Sequence, residues 1–230
     1  MQIKICGITQ DREVELLNAL AVDLVGLWHG VPGGHAELSL VACAHLSAAA
    51  RATGHLQPVL VTLLGDVDAL EHAVRRTGVT SVQLHGYQPP AVVAALRRVI
   101  PSATRIIKAL HVRGRRCLEA PLIRAYENAG VDVFLLDAVT ADGRVGSTGQ
   151  AVEGSVVLAL AQRMARPFLL AGGIGPESWR EHSASFRHPR CLGVDVDGNA
   201  RARDGALDRD RLLAISRAWK ASAVDGHGHV

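Results

Sequence analysis

The sequence is poor in aromatic residues and in net charge, and each shortage excludes a class of protein. Phe, Trp and Tyr together make up 3% of its 230 residues, which leaves few stacking platforms for single-stranded nucleic acid. The net charge of +3 comes from scattered basic residues, so we expect no nucleic-acid partner. No run of 18 apolar residues occurs, so we expect no membrane span. The 48% of hydrophobic and 20% of charged residues are instead typical of a folded globular domain.

Cysteine is also scarce, and the four cysteines are far apart. They are Cys6, Cys43, Cys117 and Cys191, and they form no CxxC motif. The N-terminus lacks the basic segment and long apolar stretch of a signal peptide, so we expect reduced thiols in a cytoplasmic protein. The eleven histidines show neither an HxxxH nor an HExxH spacing. The sequence therefore predicts no metal site.

The chain does contain a regular alternation of short apolar runs with segments of helical periodicity. The runs are rich in Val, Ile and Leu, as expected for parallel strands that are covered on both faces. Eight such runs are present, at Gln2–Cys6, Asp23–Trp28, Pro58–Leu63, Ser81–Leu84, Arg105–Leu110, Asp132–Leu136, Pro167–Ala171 and Leu192–Val196.

This alternation predicts an α/β fold, a single (β/α)8 TIM barrel. Eight strands and their helices in about 220 residues favour the closed barrel over an open doubly wound sheet. An open Rossmann-type sheet would carry a GxGxxG turn after the first strand, where this chain has Cys6-Gly7-Ile8-Thr9. Proline favours the first turn of a helix, so we expect helices to begin near Pro90 and near Pro176. We expect one domain over residues 1–220 and a mobile C-terminal tail at 221–230.

In such a barrel the functional residues follow the C-terminal ends of the strands. Five sets of residues stand at or near these ends: Lys4-Ile5-Cys6-Gly7-Ile8-Thr9, Val82-Gln83-Leu84-His85-Gly86, Ile107-Lys108-Ala109, Leu170-Ala171-Gly172-Gly173-Ile174-Gly175-Pro176, and Gly193-Val194-Asp195-Val196 followed by Gly205-Ala206-Leu207-Asp208. In this order, over nearly the whole chain, they resemble the phosphoribosylanthranilate isomerase family. No single one of the segments would suffice.

The resemblance implies an aldose–ketose isomerase that uses no metal and no organic cofactor. In that family a cysteine after the first strand is the general base and an aspartate after the sixth is the general acid. Cys6 and Asp137 occupy these positions. The pair suits an Amadori rearrangement, in which the acid opens a furanose ring to an iminium and the base removes a proton from the adjacent carbon. A thiolate serves as the base, and burial keeps a carboxylic acid protonated until it is needed.

Each of these residues also has a plain structural interpretation. A cysteine at a strand end is commonly a small buried apolar residue, and an aspartate there commonly caps a helix. Their pairing within the motif series favours the catalytic interpretation of both. Lys4 lies two residues from Cys6 on the same face of its strand, so its charge would lower the pKa of the thiol if the ammonium group points that way.

The resemblance also implies a phosphate site in the loops after the seventh and eighth strands, at Gly172, Gly173, Asp197 and Gly198. At Asp197 the chain departs from the family's Ser-Ser-Gly-like segment. A carboxylate there would repel a phosphate dianion unless it turns away or is protonated. Gln83 and His85 are further candidates for substrate binding.

A second departure follows the second strand, where the family carries an arginine that holds the anthranilate carboxylate. This chain has no arginine between Gly30 and Glu37. His35 falls nearest that position, but a histidine cannot supply the bidentate fork of a guanidinium group. Arg144, in the loop after the sixth strand, would supply a cation from another direction. His35 and Arg144 are therefore the predicted aglycone-binding residues.

The sequence thus predicts a phosphoribosylanthranilate isomerase of tryptophan biosynthesis, acting on a small and phosphorylated substrate as a monomer or homodimer. Two alternatives stay open. One is a family member that acts on a different small molecule in a specialised pathway. The other is a barrel that binds a ligand or a partner without catalysis.

Overall fold

The computed structural model describes residues 1–139 and 151–224, except for the side chains of 221–224. Parallel strands alternate with helices along this part of the chain, and each strand overlaps one of the eight predicted apolar runs. The barrel strands are β1 (Gln2–Ile5), β2 (Leu24–Trp28), β3 (Gln57–Thr62), β4 (Ser81–Leu84), β5 (Arg105–Arg113), β6 (Val133–Ala138), β7 (Phe168–Leu170) and β8 (Cys191–Val196).

The sheet closes on itself. Each strand pairs in parallel with its neighbour in sequence, from β1 through to β8. Strand β1 also pairs with β8, with Lys4 opposite Asp195 and Ile5 opposite Val196. The predicted (β/α)8 barrel is therefore confirmed. Closure places the C-terminal ends of all eight strands around one rim.

The helices surround the barrel. They are α1 (Asp11–Ala19), α2 (Leu40–Ala52), α3 (Val67–Thr77), α4 (Pro90–Val99), α5 (Ile123–Ala129), α6 (Gly154–Arg163), α7 (Ser183–Phe186) and α8 (Arg209–Val224). Helix α4 begins at Pro90 as predicted, but the prediction of a helix that begins near Pro176 is wrong. The side chain of Ser178 instead bonds to the backbone N–H and carbonyl of Gly175, which stabilises a turn, and α7 begins only at Ser183.

Strand β5 is longer than its apolar run indicated. It continues to Arg113, and a short antiparallel strand at Arg116–Cys117 pairs with its last two residues. The turn between them contains Gly114, whose φ of +57° is accessible to glycine at little cost. This hairpin brings Glu119 back beside the barrel rim.

Both faces of the strands are covered, as their apolar composition predicted. The barrel interior holds alternate strand residues such as Val59, Ile107 and Leu135. The intervening residues pack against the helices, where Trp219 of α8 is fully buried. Two layers of apolar side chains therefore fix the strands and, with them, the rim.

Two predicted features fall partly or wholly outside the described residues. Helix α8 continues to Val224, so the first four residues of the predicted tail are helical, and residues 225–230 are not described. The segment 140–150, which contains Arg144, is not described either. Within the described ranges, no helix is both long enough and apolar enough to cross a membrane.

Candidate active site

A cavity of about 150 Å³ opens at the C-terminal ends of the barrel strands. Most of the predicted site residues come together in its lining, although they arise from five different strand ends. His35 is not part of this lining, and Arg144 lies outside the described residues. The predicted residues that line the cavity are Cys6, Gln83, His85, Asp137, Gly172, Gly173, Asp197 and Gly198.

Cys6 follows β1, and its side chain is buried. Its Sγ accepts a hydrogen bond from Lys4 Nζ at 3.3 Å and another from the indole Nε1 of Trp28 at 3.0 Å. Gly7 turns the chain directly afterwards with a φ of +73°, and a Cβ at this position would lie 3.0 Å from the guanidinium group of Arg201. The base candidate is therefore held between two N–H donors at a tight turn.

The protonation of Cys6 is governed by its burial. Burial raises the pKa of its thiol to about 12, although the charge of Lys4 lowers the pKa as the sequence suggested. The carboxylates of Asp195 and Asp197 add to the rise, and the hydrogen bond from Trp28 opposes it. Desolvation outweighs the cation, so Cys6 is a thiol at neutral pH in this structure.

Lys4 and Asp195 form a buried ion pair beneath Cys6, with Nζ and Oδ2 2.7 Å apart. Burial alone lowers the pKa of Lys4, but the charges of Asp195 and Cys6 raise it above its ordinary value. Burial raises the pKa of Asp195, and Lys4 opposes that rise. The second oxygen of Asp195, Oδ1, has no hydrogen-bond partner among the described residues. Asp195 lines the cavity, and sequence reasoning missed it as a site residue.

Asp137 ends β6 on the other side of the cavity and is buried. Its Oδ2 lies 3.3 Å from Nε2 of His85, a contact without good hydrogen-bond alignment. Nδ1 of the same ring lies 2.9 Å from the amide Nε2 of Gln83. An amide nitrogen can only donate, so with this orientation of Gln83 the proton of a neutral His85 is on Nε2 and faces Asp137.

A second set of buried polar residues supports the loop that carries His85. His111 contacts the carbonyl oxygen of His85 at 3.0 Å through Nε2 and Glu119 at 2.5 Å through Nδ1. Lys108 donates to the carbonyl of Gly86 at 2.7 Å. Burial lowers the pKa of Lys108 to about 8, against the opposing charge of Glu119. Sequence reasoning missed His111 and Glu119, because only the unpredicted hairpin brings them together.

The two glycine-containing loops, after β7 and β8, contact each other, and the β8 loop lies beside Cys6. Gly172 and Gly173 have φ values of +79° and +62°, and a short 3-10 helix spans Gly198–Ala200. Asn199 joins the two loops, since its Nδ2 donates to the carbonyls of Gly173 and Ile174 at 3.1 and 3.0 Å. The loops therefore form one rigid edge of backbone groups.

Asp197 is paired with a cation that the sequence did not single out and that it shares with Glu13. Nε of Arg201 donates to its Oδ1 at 3.0 Å, and NH2 of Arg201 donates to the carbonyls of Cys6 and Gly7 at 2.9 and 2.6 Å. Arg201 also contacts Glu13, at 3.5 Å. The charge of Asp197 is thus offset, which weakens the repulsion expected for a phosphate. Arg201 also ties the β8 loop to the β1 loop.

The loop after β2 lies at the edge of the cavity and contains no lysine or arginine. His35 is 51% exposed, lies 3.5 Å from Oδ2 of Asp197 and packs edge-on against the ring of Trp28. Glu37 accepts hydrogen bonds from the backbone N–H groups of Gly30 and Val31. No lysine or arginine lines the cavity among residues 1–139 and 151–220. In the same ranges, no group of three or more His, Cys, Asp or Glu side chains is suited to a metal ion.

Comparison with known families identifies the barrel. The model of the N-(5'-phosphoribosyl)anthranilate (PRA) isomerase family matches residues 3–216. The chain belongs to this family. It is therefore an isomerase, and the resemblance of its strand-end motifs to PRA isomerases is confirmed.

Individual relatives of this PRA isomerase family member span most of its length. It is 32% identical to N-(5'-phosphoribosyl)anthranilate isomerase 2 of Methanosarcina mazei over 93% of this chain and 91% of the relative. The PRA isomerase of Thermosynechococcus vestitus is 31% identical over 93% and 87%. The crystal structure of the Thermus thermophilus enzyme superposes with a TM-score of 0.77 at 25% identity, covering 97% of this chain and all of the other.

Proposed function

We propose that this isomerase converts N-(5-phosphoribosyl)anthranilate into the corresponding 1-amino-ketose by an Amadori rearrangement, with Asp137 as general acid and Cys6 as general base. The observation that carries the proposal is the shared cavity, in which a carboxyl group and a thiol face the same space beside two glycine-rich loops. Family membership supports the same reaction. Tryptophan biosynthesis is the pathway that we propose.

In the first step, Asp137 donates a proton to the ring oxygen of the ribosyl group. The C–O bond breaks, the nitrogen lone pair forms a C=N bond, and the sugar opens to an iminium ion. The ring of His85, which contacts Gln83 through Nδ1, lies 3.3 Å from Oδ2 of Asp137 through Nε2 and so occupies the space beside that oxygen. The other oxygen of Asp137 is then left for the substrate.

In the second step, Cys6 removes the proton from the carbon next to the iminium. The electron pair of that C–H bond becomes a C=C bond, and the nitrogen recovers its lone pair. A thiol with a pKa of about 12 is a poor base at neutral pH, but the new cation beside it favours the thiolate. Ring opening therefore precedes deprotonation, and the resulting enolamine tautomerises to the ketone.

Substrate binding divides between polar and apolar parts of the cavity. We assign the phosphate to the backbone N–H groups of Gly172, Gly173 and Gly198, residues that line the cavity, because a phosphate needs donors at close approach. Trp28 and Leu63 form an apolar wall that suits a planar aromatic aglycone. We also propose a reducing, cytoplasmic setting, which the four unpaired cysteines support. Whether the protein acts as a monomer or a homodimer stays open.

One observation favours the altered-substrate alternative. The aglycone end of the cavity has no lysine or arginine in its described lining, and Glu37 and Asp197 lie nearby. A carboxylate there would lack a bidentate partner. A family member acting on an aglycone without a carboxylate is therefore the second candidate.

Steady-state turnover tests the proposed function. Purified protein should convert N-(5-phosphoribosyl)anthranilate, and Cys6→Ser should lower kcat by at least about a hundredfold because a hydroxyl is a far weaker base than a thiolate. Ligand binding that survives Cys6→Ser without any wild-type turnover would support the non-catalytic barrel. Turnover of a glycosylamine without a carboxylate, in preference to the anthranilate, would support the second candidate.

A further inference from the structure

The indole of Trp28 has an unusual hydrogen-bond partner. Trp28 is 8% exposed, and its Nε1 donates to Cys6 Sγ at 3.0 Å. No other acceptor for this N–H exists among the described residues. A buried indole N–H normally finds an oxygen acceptor, whereas a neutral thiol is a weak one. The pairing becomes favourable once the sulfur carries a negative charge.

The rest of β2 is shaped around the same sulfur. Gly26 lies two residues before Trp28 and therefore faces the same side of the strand. A Cβ at Gly26 would lie 2.6 Å from Cys6 Sγ and 3.2 Å from Lys4 Nζ. Any larger residue would push the sulfur away from the strand. Gly26 thus leaves the space in which Sγ reaches the indole of Trp28.

The charge of Lys4 lowers the pKa of Cys6 more than the hydrogen bond from Trp28 does, but the carboxylate of Asp195 raises the pKa again. Nζ of Lys4 is 3.3 Å from Sγ but only 2.7 Å from Oδ2 of Asp195. The negative carboxylate therefore cancels much of the attraction between the lysine cation and a thiolate. The ion pair as a whole is neutral. Trp28 is uncharged, so Asp195 does not cancel its effect, and its indole N–H donates directly to the sulfur.

We propose that Trp28 is a further catalytic residue, whose indole N–H stabilises the thiolate form of Cys6 during proton transfer. The inference rests on the proposed role of Cys6 as the base. Before the transfer, the thiol proton leaves Cys6 for solvent, and the sulfur accepts from both Trp28 and Lys4. The sulfur then bonds the substrate proton, the C–H electron pair moves into the carbon framework, and the N–H bond to sulfur weakens.

The test removes the N–H and keeps an aromatic ring, with Trp28→Phe. The rate of Cys6 alkylation by iodoacetamide is followed against pH by mass spectrometry of the Cys6 peptide, without substrate. Because the pKa of the Cys6 thiol is about 12, the rate at lower pH is proportional to the small thiolate fraction. At each pH from about 7 to 9 the rate should therefore fall about ten- to a hundredfold in Trp28→Phe, the size of one hydrogen bond to a charged group. Trp179→Phe, the same change at a partly buried site that makes no contact with Cys6, should leave the profile unchanged.

Kinetics give a second readout. In Trp28→Phe, kcat should fall about ten- to a hundredfold, with a smaller change in KM because the ring still forms the apolar wall. If that variant folds poorly, benzothienylalanine placed at position 28 provides an isosteric ring with sulfur in place of N–H. An unchanged alkylation profile in either variant overturns the proposal and leaves Cys6 as the base. A changed profile in Trp28→Phe, combined with a wild-type protein that turns over no glycosylamine, overturns the proposed function instead.

Discussion

At the scale of single residues, the acid and base candidates are buried but have different neighbours. Cys6 receives N–H groups from a lysine and a tryptophan, both of which favour a negative sulfur. Asp137 is contacted at one oxygen by His85, which is itself fixed by Gln83. Two titratable groups in one cavity with distinct surroundings can take opposite roles in proton transfer.

Replacing Asp137 by asparagine tests the acid. Asn has the same shape but no proton of comparable acidity, so Asp137→Asn should lower kcat by about a hundredfold or more on the anthranilate substrate. Thermal denaturation should show a folded protein. Asp68→Asn, the same change at an exposed position of α3, should keep full activity. Near-normal turnover of Asp137→Asn would falsify the role of this residue.

At the scale of elements, the loop after β2 borders the cavity without a lysine or arginine. In this loop His35 lies at the rim beside Asp197. The carboxylate of Glu37 accepts hydrogen bonds from the backbone N–H groups of Gly30 and Val31. These contacts order the loop, but they leave no guanidinium group in the described lining of the cavity. We therefore expect this loop to affect which substrates the protein accepts.

We therefore expect poor kcat/KM on N-(5-phosphoribosyl)anthranilate. A carboxylate without its charged partner loses on the order of 2–4 kcal/mol, or roughly thirty- to a thousandfold. Steady-state kinetics beside the Thermus thermophilus enzyme measures this loss. A further fall in His35→Ala or Arg144→Ala would identify the residue that partly replaces the arginine. Vigorous turnover that neither substitution changes would show that the missing arginine is irrelevant.

At the scale of the whole molecule, burial sets how stability depends on pH. Desolvation raises the pKa of Cys43 and Cys191 to about 12 and of Cys117 to about 11, as it does for Cys6. Unfolded thiols ionise near pH 9 while the folded ones keep their protons, so stability falls as pH rises from about 9. Lys108, with its pKa of about 8, acts in the opposite direction, but four thiols outweigh it.

Cys43→Ala should make the alkaline loss of stability shallower. Removing one such thiol should reduce the slope by about 1.4 kcal/mol per pH unit between pH 9.5 and 11. The smaller side chain should also cost about 1–2 kcal/mol at pH 7 because Cys43 is fully buried. Urea unfolding at several pH values measures both effects. Val41→Ala, exposed on the same helix, should leave the slope as it is, and an unchanged slope in Cys43→Ala would contradict the burial argument.

The barrel and most of its strands could be predicted from composition and periodicity along the chain. Apolar runs such as Ser81–Leu84 identify buried parallel strands because a strand covered on both faces needs no polar alternation. The motif order then indicated that Cys6 and Asp137 would share one cavity, which the structure bears out geometrically. The helix near Pro176 was wrong because Ser178 satisfies the backbone of a turn there, a local contact that periodicity does not report.

The surroundings of the Cys6 sulfur depend on contacts between distant parts of the chain. Asp195 reaches Lys4 because β1 and β8 pair in one register across 191 residues of sequence, and no local pattern specifies that register. Trp28 reaches Cys6 because Gly26 lets the sulfur approach β2. Strand identity depends on composition over a few neighbouring residues. The partners of a buried side chain depend on how distant strands close into a barrel, and this is why the chemistry of Cys6 could not be obtained from the sequence.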